Sequence, residues 1–399
     1  MKIEEDILNM AHVNLQSLVS WWCTYGFDEN SNRFYAEVQN DNTPCSRSSF
    51  VIIQRARLLW FFSSLSQNKK YGDYRKYADL QYEELIQSFY DEDHGGFIWE
   101  LSVDGEAINK RKQTYAQAFV IYALSEYYIL GNNEHAKSLA IETFHLLESN
   151  AFDNIKLGYI EAVNQKWEHI DDVRLSPKDM NEPKTMNTHL HILEAYTGLS
   201  KITTDQEISE ALKRVLNLYN DKFYNLETGH FQLFFDNDWN IKSNIVSFGH
   251  DIESAWLMQK AAYAVGDNDL IKKVAELSLR ITDVTIREGR TAMGGIKNEV
   301  KNGKQDLTFD WWPQAEAVVG FLDAYQTSGQ EEYLEAANQT LLFIDGNILN
   351  KENGEWHWRI NENLKPDSTI SKSNAWKAPY HNGRMYLEIL KRINTDDQL

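Results

Sequence analysis

The stretch LQYEELIQSFYDEDHGGFIW, residues 80–99, contains both patterns that decide the fold of this chain. Its first half places Leu80, Leu85 and Phe89 at helical spacing, and its second half is a Gly-aromatic turn that runs into an alternating apolar stretch. Glycine adopts backbone angles that other residues avoid, so the turn predicts a short strand or hairpin after the helix.

The same unit recurs along the chain. Intervals of 63, 62, 72, 65 and 60 residues separate the turn's anchor residues, which are Phe34, Phe97, Tyr159, Phe231, Ile296 and Trp356. A second repeat is a break between two helical segments, found at Gly72, Gly131, the Thr203–Thr204 pair, Gly266 and Gly329. Each period predicts two helices and a turn, so six periods predict about twelve helices.

Twelve helices in repeating pairs can stack into an open solenoid or close into a ring. A parallel-sheet fold would need buried strands rich in Val and Ile between the helices, and the sequence has none. Only six prolines occur in 399 residues, which fits a largely helical chain. The polar motifs fall on the first helix of a pair, as an inner ring requires. We predict an all-α (α/α)6 barrel, one domain over 1–399, with short β-hairpins over one mouth; the solenoid is the alternative.

The composition restricts the class of function. The net charge of −19 repels phosphate backbones, so we expect no nucleic-acid partner. No apolar run approaches the roughly 20 residues that span a bilayer, and the N-terminus lacks a basic segment followed by an apolar one. Cys23 and Cys45 are the only cysteines, and their spacing suggests neither a zinc site nor a redox pair. We therefore expect a cytoplasmic protein without a membrane partner.

Four short polar strings begin predicted buried helices: Gln-x-x-Arg at 54–57, Asn-x-x-x-His at 187–191, His-x-x-Glu at 250–253 and Trp-x-x-x-x-His at 376–381. Together they supply three imidazoles and one guanidinium from widely separated places. Such groups transfer protons and stabilise negative charge. They form no metal-ligand cluster, so the sequence predicts neither a metal nor a cofactor.

Arg57 lies in a segment that is apolar nearly all round, where a buried guanidinium needs a polar partner. That partner is either a developing oxyanion or a carboxylate on a neighbouring helix. Asn187 and His191 are four residues apart and share a helix face, whereas His189 points elsewhere. Asp179, on the loop just before, is expected at the barrel mouth.

His250 and Glu253 have the spacing that lets a carboxylate hold an imidazole in one tautomer, which predicts a His–Glu pair in the site. A buried structural hydrogen bond is the alternative. The adjacent Trp311 and Trp312 project about 100° apart, so one can face the cavity while the other packs. His381 precedes the last helix, and Trp376 lies five residues before it.

Four strings in this order resemble the cellobiose 2-epimerases of the N-acylglucosamine 2-epimerase superfamily, a superfamily of (α/α)6 barrels: MNTHLHILEAY (186–196), SFGHDIESAWL (247–257), WWPQAEAVVGF (311–321) and WKAPYHNGRM (376–385). The resemblance covers nearly the whole chain. It implies that His250 and His381 are the acid/base pair and that Arg57 and His191 line the site. It further implies that Glu253 supports His250, that Trp376 and either Trp311 or Trp312 stack on the sugar, and that Asp179 is a loop carboxylate near the substrate. Asn187 is predicted to bind substrate from its place on the face of His191.

The resemblance implies a cofactor-independent isomerase, a sugar 2-epimerase. It would invert C2 of a reducing-end aldose, as in cellobiose or mannobiose, through a cis-enediolate. One alternative is an epimerase or aldose–ketose isomerase of free mannose or glucose. A glycoside hydrolase would need two carboxylates, such as Asp179 and Glu253. A non-catalytic carbohydrate-binding protein would leave the interior imidazoles without a purpose. A small-molecule sugar is the expected partner, and the sequence is compatible with a monomer or a dimer.

Overall fold

The structure, a computed structural model, describes residues 2–393. Residue 1 and residues 394–399 of the predicted domain lie outside the described part. The described chain forms twelve α-helices: α1 Lys2–Thr24, α2 Ile52–Ser66, α3 Arg75–Glu84, α4 Thr114–Gly131, α5 Glu134–Asn150, α6 Met186–Leu199, α7 Gln206–Leu218, α8 Phe248–Val265, α9 Asn268–Val284, α10 Trp311–Ser328, α11 Glu331–Phe343 and α12 His381–Ile393.

The even-numbered helices form an inner ring and the odd-numbered helices pack outside it. Each even-numbered helix contacts the next one, and α12 contacts α2, which closes the ring. In α2 every residue except Ser64 is buried, as expected of a helix surrounded by others. The outer helix α9 instead buries one face, including Val274, Leu277 and Ile281. The predicted (α/α)6 barrel is confirmed, and the open solenoid is wrong.

The predicted breaks separate inner helices from their outer partners. Gly266 and Gly329 end α8 and α10 in the left-handed conformation, with φ of 75° and 72°. At the Gly131 break the left-handed residue is Asn132, one position later. The outer helices α3, α7, α9 and α11 continue into a π-helical turn, over 85–89, 219–223, 285–289 and 344–348. Each of these turns leads into one of the predicted Gly-aromatic turns.

Fourteen short strands pair antiparallel in two- and three-stranded sheets within residues 2–393. They are β1 Phe27–Asp28, β2 Arg33–Phe34, β3 Phe50–Val51, β4 Glu100–Leu101, β5 Ala107–Asn109, β6 Lys112–Gln113, β7 Ala162–Val163, β8 Lys184–Thr185, β9 Phe234–Phe235, β10 Val246–Ser247, β11 Glu299–Lys301, β12 Lys304–Asp306, β13 Phe309–Asp310 and β14 Arg359–Ile360. Strands β3, β6, β8, β10 and β13 each lead directly into an inner helix. The sheets therefore lie at the end of the ring where the inner helices begin.

Buried lysines anchor the chain at three of the turns. Each ammonium binds a carboxylate and a backbone carbonyl of the turn, with Nζ–carboxylate distances of 2.7 Å for Lys112 and Asp91, 2.9 Å for Lys184 and Asp153 and 2.9 Å for Lys377 and Glu355. Such pairing satisfies a charge that would be costly to bury alone. Across residues 2–393, none of the helices has the length and apolar character needed to cross a membrane.

Candidate active site

The mouth formed by the first turns of the inner helices opens into a cavity of about 1170 Å³. Four of the predicted site residues line it: Asp179, Asn187, His250 and Trp312. Arg57, His191 and His381 are nearly fully buried, with exposed fractions of 3%, 3% and 5%. All three lie in the N-terminal halves of inner helices, in α2, α6 and α12 respectively.

The Trp312 ring contacts both predicted acid/base histidines. Its centroid is 4.7 Å from the His250 ring and 5.7 Å from the His381 ring, so the two imidazoles are separated by no more than the sum of these distances. Trp311 points away and packs against Trp358 at 4.2 Å, with 3% of its surface exposed. Trp312 is therefore the one that faces the cavity, and Trp311 is a core residue.

The Nδ1 atom of His381 is hydrogen-bonded to Glu316 of α10, at 2.6 Å. Because Nδ1 is engaged, Nε2 is the nitrogen free to meet a substrate. Burial lowers the pKa of His381 well below its ordinary value, and the positive charges of Arg57 and Arg384 act in the same direction. The surroundings thus disfavour the charged form of the imidazole, and a carboxylate orients it.

The Nδ1 atom of His191 is also hydrogen-bonded to a carboxylate, which here lies on the same helix. Its Nδ1 lies 3.1 Å from Glu194, and its ring packs against Tyr115 and Phe119. Burial lowers the pKa of His191 against the opposing effect of Glu194. Asn187, one turn earlier, lines the cavity, and its buried Oδ1 has no hydrogen-bond partner in the described structure. An unpaired buried acceptor at a cavity wall is suited to bind a substrate hydroxyl.

His250 does not pair with Glu253, so that expectation from the spacing is wrong. The Nδ1 of His250 is hydrogen-bonded to the Ser247 hydroxyl at 2.8 Å. Glu253 instead accepts a hydrogen bond from Arg384 Nη2 at 2.7 Å and is 1% exposed. The reason is that Arg384, on the facing helix α12, offers a charge-assisted bond that is stronger than one to a neutral imidazole. Burial, followed by the charge of His191, lowers the pKa of His250 to about 3.

Arg384 is the centre of a buried cluster below the histidines. Its guanidinium donates to three glutamates on three inner helices: Glu194 of α6, Glu253 of α8 and Glu316 of α10. Burial raises the pKa of Glu253 well above its ordinary value, and the charge of Glu316 adds to this. Against the effect of burial, Arg384 and His191 hold the pKa of Glu194 at about 2. The cluster therefore fixes the carboxylates that orient His381 and His191.

Arg57 has only neutral partners. Its Nη2 donates to the Tyr115 hydroxyl at 2.9 Å and its Nη1 to the Trp376 carbonyl, while the guanidinium lies over the Phe119 ring at 4.6 Å. Within residues 2–393 no carboxylate is close enough to form an ion pair with it. The structural ion pair considered from the sequence is therefore absent. A buried cation without an anionic partner is suited to stabilise negative charge that forms on a ligand.

Two further predicted residues are Trp376 and Asp179. Trp376 contributes its carbonyl to Arg57, and its ring is 6.3 Å from that of Trp99. Asp179 lines the cavity and accepts a hydrogen bond from the Ser176 amide at 2.8 Å, which fixes the carboxylate on its loop. Glu253 is buried and ion-paired, so Asp179 and Glu253 do not form the pair of solvent-reached carboxylates that a glycoside hydrolase would use.

His189 lies outside the site, as its place on the helix predicted. Its Nδ1 contacts the Thr185 carbonyl at 2.6 Å and its Nε2 accepts from the Tyr159 amide at 2.9 Å. Burial lowers its pKa to about 4, so it is a neutral core residue.

Within residues 2–393, two groups of side chains have ligand atoms close enough for a metal: Asp91 with Asp93 and His94, and Glu253 with Glu316 and His381. In the second group the Arg384 guanidinium donates 2.7 Å hydrogen bonds to both carboxylates. A metal ion there would compete with a cation that is already paired. The donor set thus fits an arginine-centred cluster better than a metal centre.

The sequence patterns predicted no role for Glu194, Glu316, Arg384 or Tyr115. The signal for Glu194 was present, since His191 and Glu194 have the same spacing as His250 and Glu253. Spacing alone did not tell which of the two pairs forms. Glu316 and Tyr115 approach the site from other helices, so no local pattern predicts their contacts.

The chain matches the model of the N-acylglucosamine 2-epimerase (GlcNAc 2-epimerase) family over residues 34–382. The chain belongs to the N-acylglucosamine 2-epimerase family. It is 36% identical to the cellobiose 2-epimerase of Bacteroides fragilis over 94% of this chain and 95% of the relative. It is 38% identical to the cellobiose 2-epimerase of Dictyoglomus turgidum, over 92% and 93% of the two chains. The chain is therefore an isomerase of the sugar 2-epimerase type.

Solved structures of similar proteins have the same fold. The cellobiose 2-epimerase from Bacillus thermoamylovorans B4167 superposes with a TM-score of 0.93 at 31% identity, over 97% of this chain and 100% of the other. A D-mannose isomerase superposes with a TM-score of 0.83 at 18% identity, over 96% and 97% of the chains. At that identity the second likeness shows the fold alone.

Proposed function

We propose that this epimerase inverts C2 of the reducing-end aldose of a β-linked disaccharide such as cellobiose, with His250 and His381 as the two proton-transfer residues. The observation that carries the proposal is that both imidazoles contact the Trp312 ring, at centroid distances of 4.7 Å and 5.7 Å, each with Nδ1 hydrogen-bonded and with no hydrogen bond to Nε2 within residues 2–393. The family's cellobiose 2-epimerases and a cavity of about 1170 Å³ support a substrate larger than one hexose.

The reaction needs an open-chain sugar, because the C2 hydrogen is acidic only while C1 is an aldehyde. His191, hydrogen-bonded to Glu194, is suited to move the proton that ring opening requires. One of His250 and His381 then removes the C2 proton to give a planar cis-enediolate. The other imidazole, which enters the cycle with a proton on Nε2, donates that proton to the opposite face of C2, and the two exchange roles in the reverse direction.

Arg57 is suited to stabilise the intermediate, and Trp312 is suited to bind the sugar. The guanidinium of Arg57, which has no anionic partner in the described structure, would stabilise the enediolate oxygen. One well-placed donor of this kind contributes roughly 3–4 kcal/mol to a transition state. Trp312 offers an aromatic face on which the apolar face of a hexose can stack. The proton leaves and returns without electron transfer, so the reaction requires no redox cofactor.

The first test is solvent exchange in deuterated buffer with cellobiose. The epimer product should carry one deuterium at C2, detected by mass spectrometry and proton NMR. Product that retains the original hydrogen would contradict proton abstraction at C2.

The second test removes each histidine. His250→Ala and His381→Ala should each lose epimerisation by at least about 10²-fold, the contribution of a positioned acid or base. His145→Ala is the matched control, since His145 is half-exposed on an outer helix. Near-normal turnover in either site variant would overturn the assignment.

The third test compares cellobiose, mannobiose, glucose and mannose as substrates, with products resolved by chromatography. Epimerisation of the two disaccharides at the higher kcat/KM is the expected result. A preference for free mannose, or ketose as the main product, would instead favour the monosaccharide epimerase or isomerase.

A further inference from the structure

The three imidazoles of the site are held through Nδ1 by different kinds of group. His381 and His191 each contact a carboxylate, at 2.6 Å and 3.1 Å. His250 contacts the hydroxyl of Ser247, at 2.8 Å. Of the two histidines assigned to proton transfer, His250 therefore has a neutral partner and His381 has a charged one.

The side chain of Ser247 does not make the hydrogen bond that is usual at its position. It precedes α8 as the N-cap residue, yet its side chain caps no backbone N–H of that helix. An N-cap hydroxyl normally accepts a hydrogen bond from the second or third amide of the helix. Thr185, at the same position before α6, does so by accepting from the Thr188 amide at 3.1 Å. The Ser247 hydroxyl is instead directed to the imidazole one turn along.

The backbone fixes Ser247 firmly. It lies in β10, paired with Glu299 of β11, and is 5% exposed. His250 also packs against Trp312, whose ring centroid is 4.7 Å away. The hydroxyl and the indole together leave the imidazole little freedom to rotate.

A hydroxyl and a carboxylate support an imidazole differently. A carboxylate only accepts, so it fixes a proton on Nδ1 and stabilises the imidazolium by its charge. A hydroxyl can accept from Nδ1–H or donate to an unprotonated Nδ1, and it adds no net charge. Ser247 can thus orient the His250 ring in either tautomer.

We propose that Ser247 is a positioning residue for the epimerisation, which orients the His250 ring through Nδ1 without supplying a negative charge. The inference rests on the proposed role of His250 in proton transfer. Burial lowers the pKa of His250 to about 3, and the hydroxyl adds no charge to oppose that effect. The charged groups that reach His250 are His191 on α6 and Glu316 on α10, and Glu299 is the cross-strand neighbour of Ser247.

The test compares three variants that differ at this one position. Ser247→Thr keeps the hydroxyl and should retain kcat within about threefold. Ser247→Ala removes the hydrogen bond and should lower kcat by about tenfold, with KM and the pH limits of kcat/KM little changed. Ser247→Asp adds a negative charge at this position. Because Asp is a favoured N-cap residue, this variant should fold. It should move the acidic limb of kcat/KM upward by about one pH unit or more.

A second readout does not depend on turnover. The ¹⁵N imidazole signals of His250, assigned by their loss in His250→Gln, report its tautomer and titration by NMR. Ser247→Asp should raise the titration midpoint of His250 and fix the Nδ1–H tautomer. Unchanged kcat in Ser247→Ala, or an unmoved His250 titration in Ser247→Asp, would overturn the proposal. If the wild type fails to epimerise cellobiose, the proposed function fails, while the NMR titration still tests the effect of Ser247 on His250.

Discussion

Among single residues, Arg57 combines burial with a lack of anionic partners in the described structure. Arg57→Ala should lower kcat by about 10²- to 10³-fold, the cost of removing one oxyanion donor. Arg57→Lys keeps the charge but cannot bridge the Tyr115 hydroxyl and the Trp376 carbonyl, so it should recover only part of the loss. Steady-state kinetics of cellobiose epimerisation measure both.

The melting temperature distinguishes a catalytic role of Arg57 from a structural one. Its partners are a phenol and a carbonyl, so truncation leaves no buried charge unpaired. The melting temperature of Arg57→Ala should therefore stay close to that of the wild type. A large drop in melting temperature with an unchanged kcat would instead identify Arg57 as structural.

Glu161 is a buried acid at the cavity wall that anchors the start of α6. It accepts from the Thr185 amide and hydroxyl and from the Thr188 hydroxyl. Burial raises its pKa from 4.5 to about 8. The folded state therefore holds this proton more tightly than the unfolded state, and Glu161 should reduce stability as the pH rises from about 5 to 8.

Glu161→Gln replaces the acid by a neutral group of the same shape, so the free energy of unfolding should fall less steeply over that pH range. Each unit of pKa difference corresponds to about 1.4 kcal/mol. Urea unfolding at several pH values measures the slope. An identical slope in wild type and variant would mean that Glu161 titrates normally in the folded protein.

At the scale of elements, the first turn of α8 packs tightly against that of α10. A Cβ on Gly249 would lie 2.5 Å from the Trp312 ring and 2.9 Å from Pro313 Cγ. Gly249→Ala should displace Trp312 and lower kcat/KM by about tenfold or more, although alanine favours a helix. Kinetics with cellobiose measure the change.

Gly346→Ala is the matched control for Gly249. Gly346 lies in the helical turn Ile344–Ile348, and a Cβ there would meet no atom within 4 Å. This variant should keep full activity and gain slightly in melting temperature. Equal activity in the two variants would show that the packing around Gly249 adjusts without cost.

Helices and turns can be predicted from the sequence, whereas contacts between distant elements cannot. Helical spacing and glycine turns predict helices and their breaks because both depend on residues close in sequence. The partner of His250 was predicted wrongly because Arg384, 131 residues beyond Glu253 in the chain, takes that carboxylate. Whether Trp311 or Trp312 faces the cavity likewise depends on Trp358, which lies in another repeat. Contacts between repeats are set by packing, which a single sequence does not reveal.

At the scale of the whole molecule, Arg384 joins helix α12 to α6, α8 and α10 across the interior of the ring. Arg384→Met should destabilise the protein by about 3–5 kcal/mol, because three buried carboxylates lose their cation. The loss should be smaller at acidic pH, where those carboxylates take up protons. Urea unfolding at two pH values tests this.

Arg287→Met is the control for Arg384, because Arg287 is 62% exposed and pairs with the exposed Glu288. Loss of this surface pair should change the free energy of unfolding by less than about 1 kcal/mol. Comparable destabilisation in the two variants would contradict the central role of Arg384.

The closed ring also bears on how the molecule unfolds. Helix α12 contacts both α1 and α2, so the first and last repeats support each other. We propose that the barrel is one domain and expect a single calorimetric transition, with the calorimetric and van't Hoff enthalpies in agreement. Two separated transitions would divide the chain into independent units.

All six inner helices begin at the same mouth, and the alignment of their peptide groups has an electrostatic consequence. Each helix carries about half a unit of positive charge at its first turn. Six such dipoles converge on the cavity, although the chain as a whole is strongly acidic. An uncharged sugar experiences little of this field on entry, whereas the anion formed after loss of its C2 proton is stabilised by it. The scaffold would thereby discriminate between reactant and intermediate before any side chain is considered.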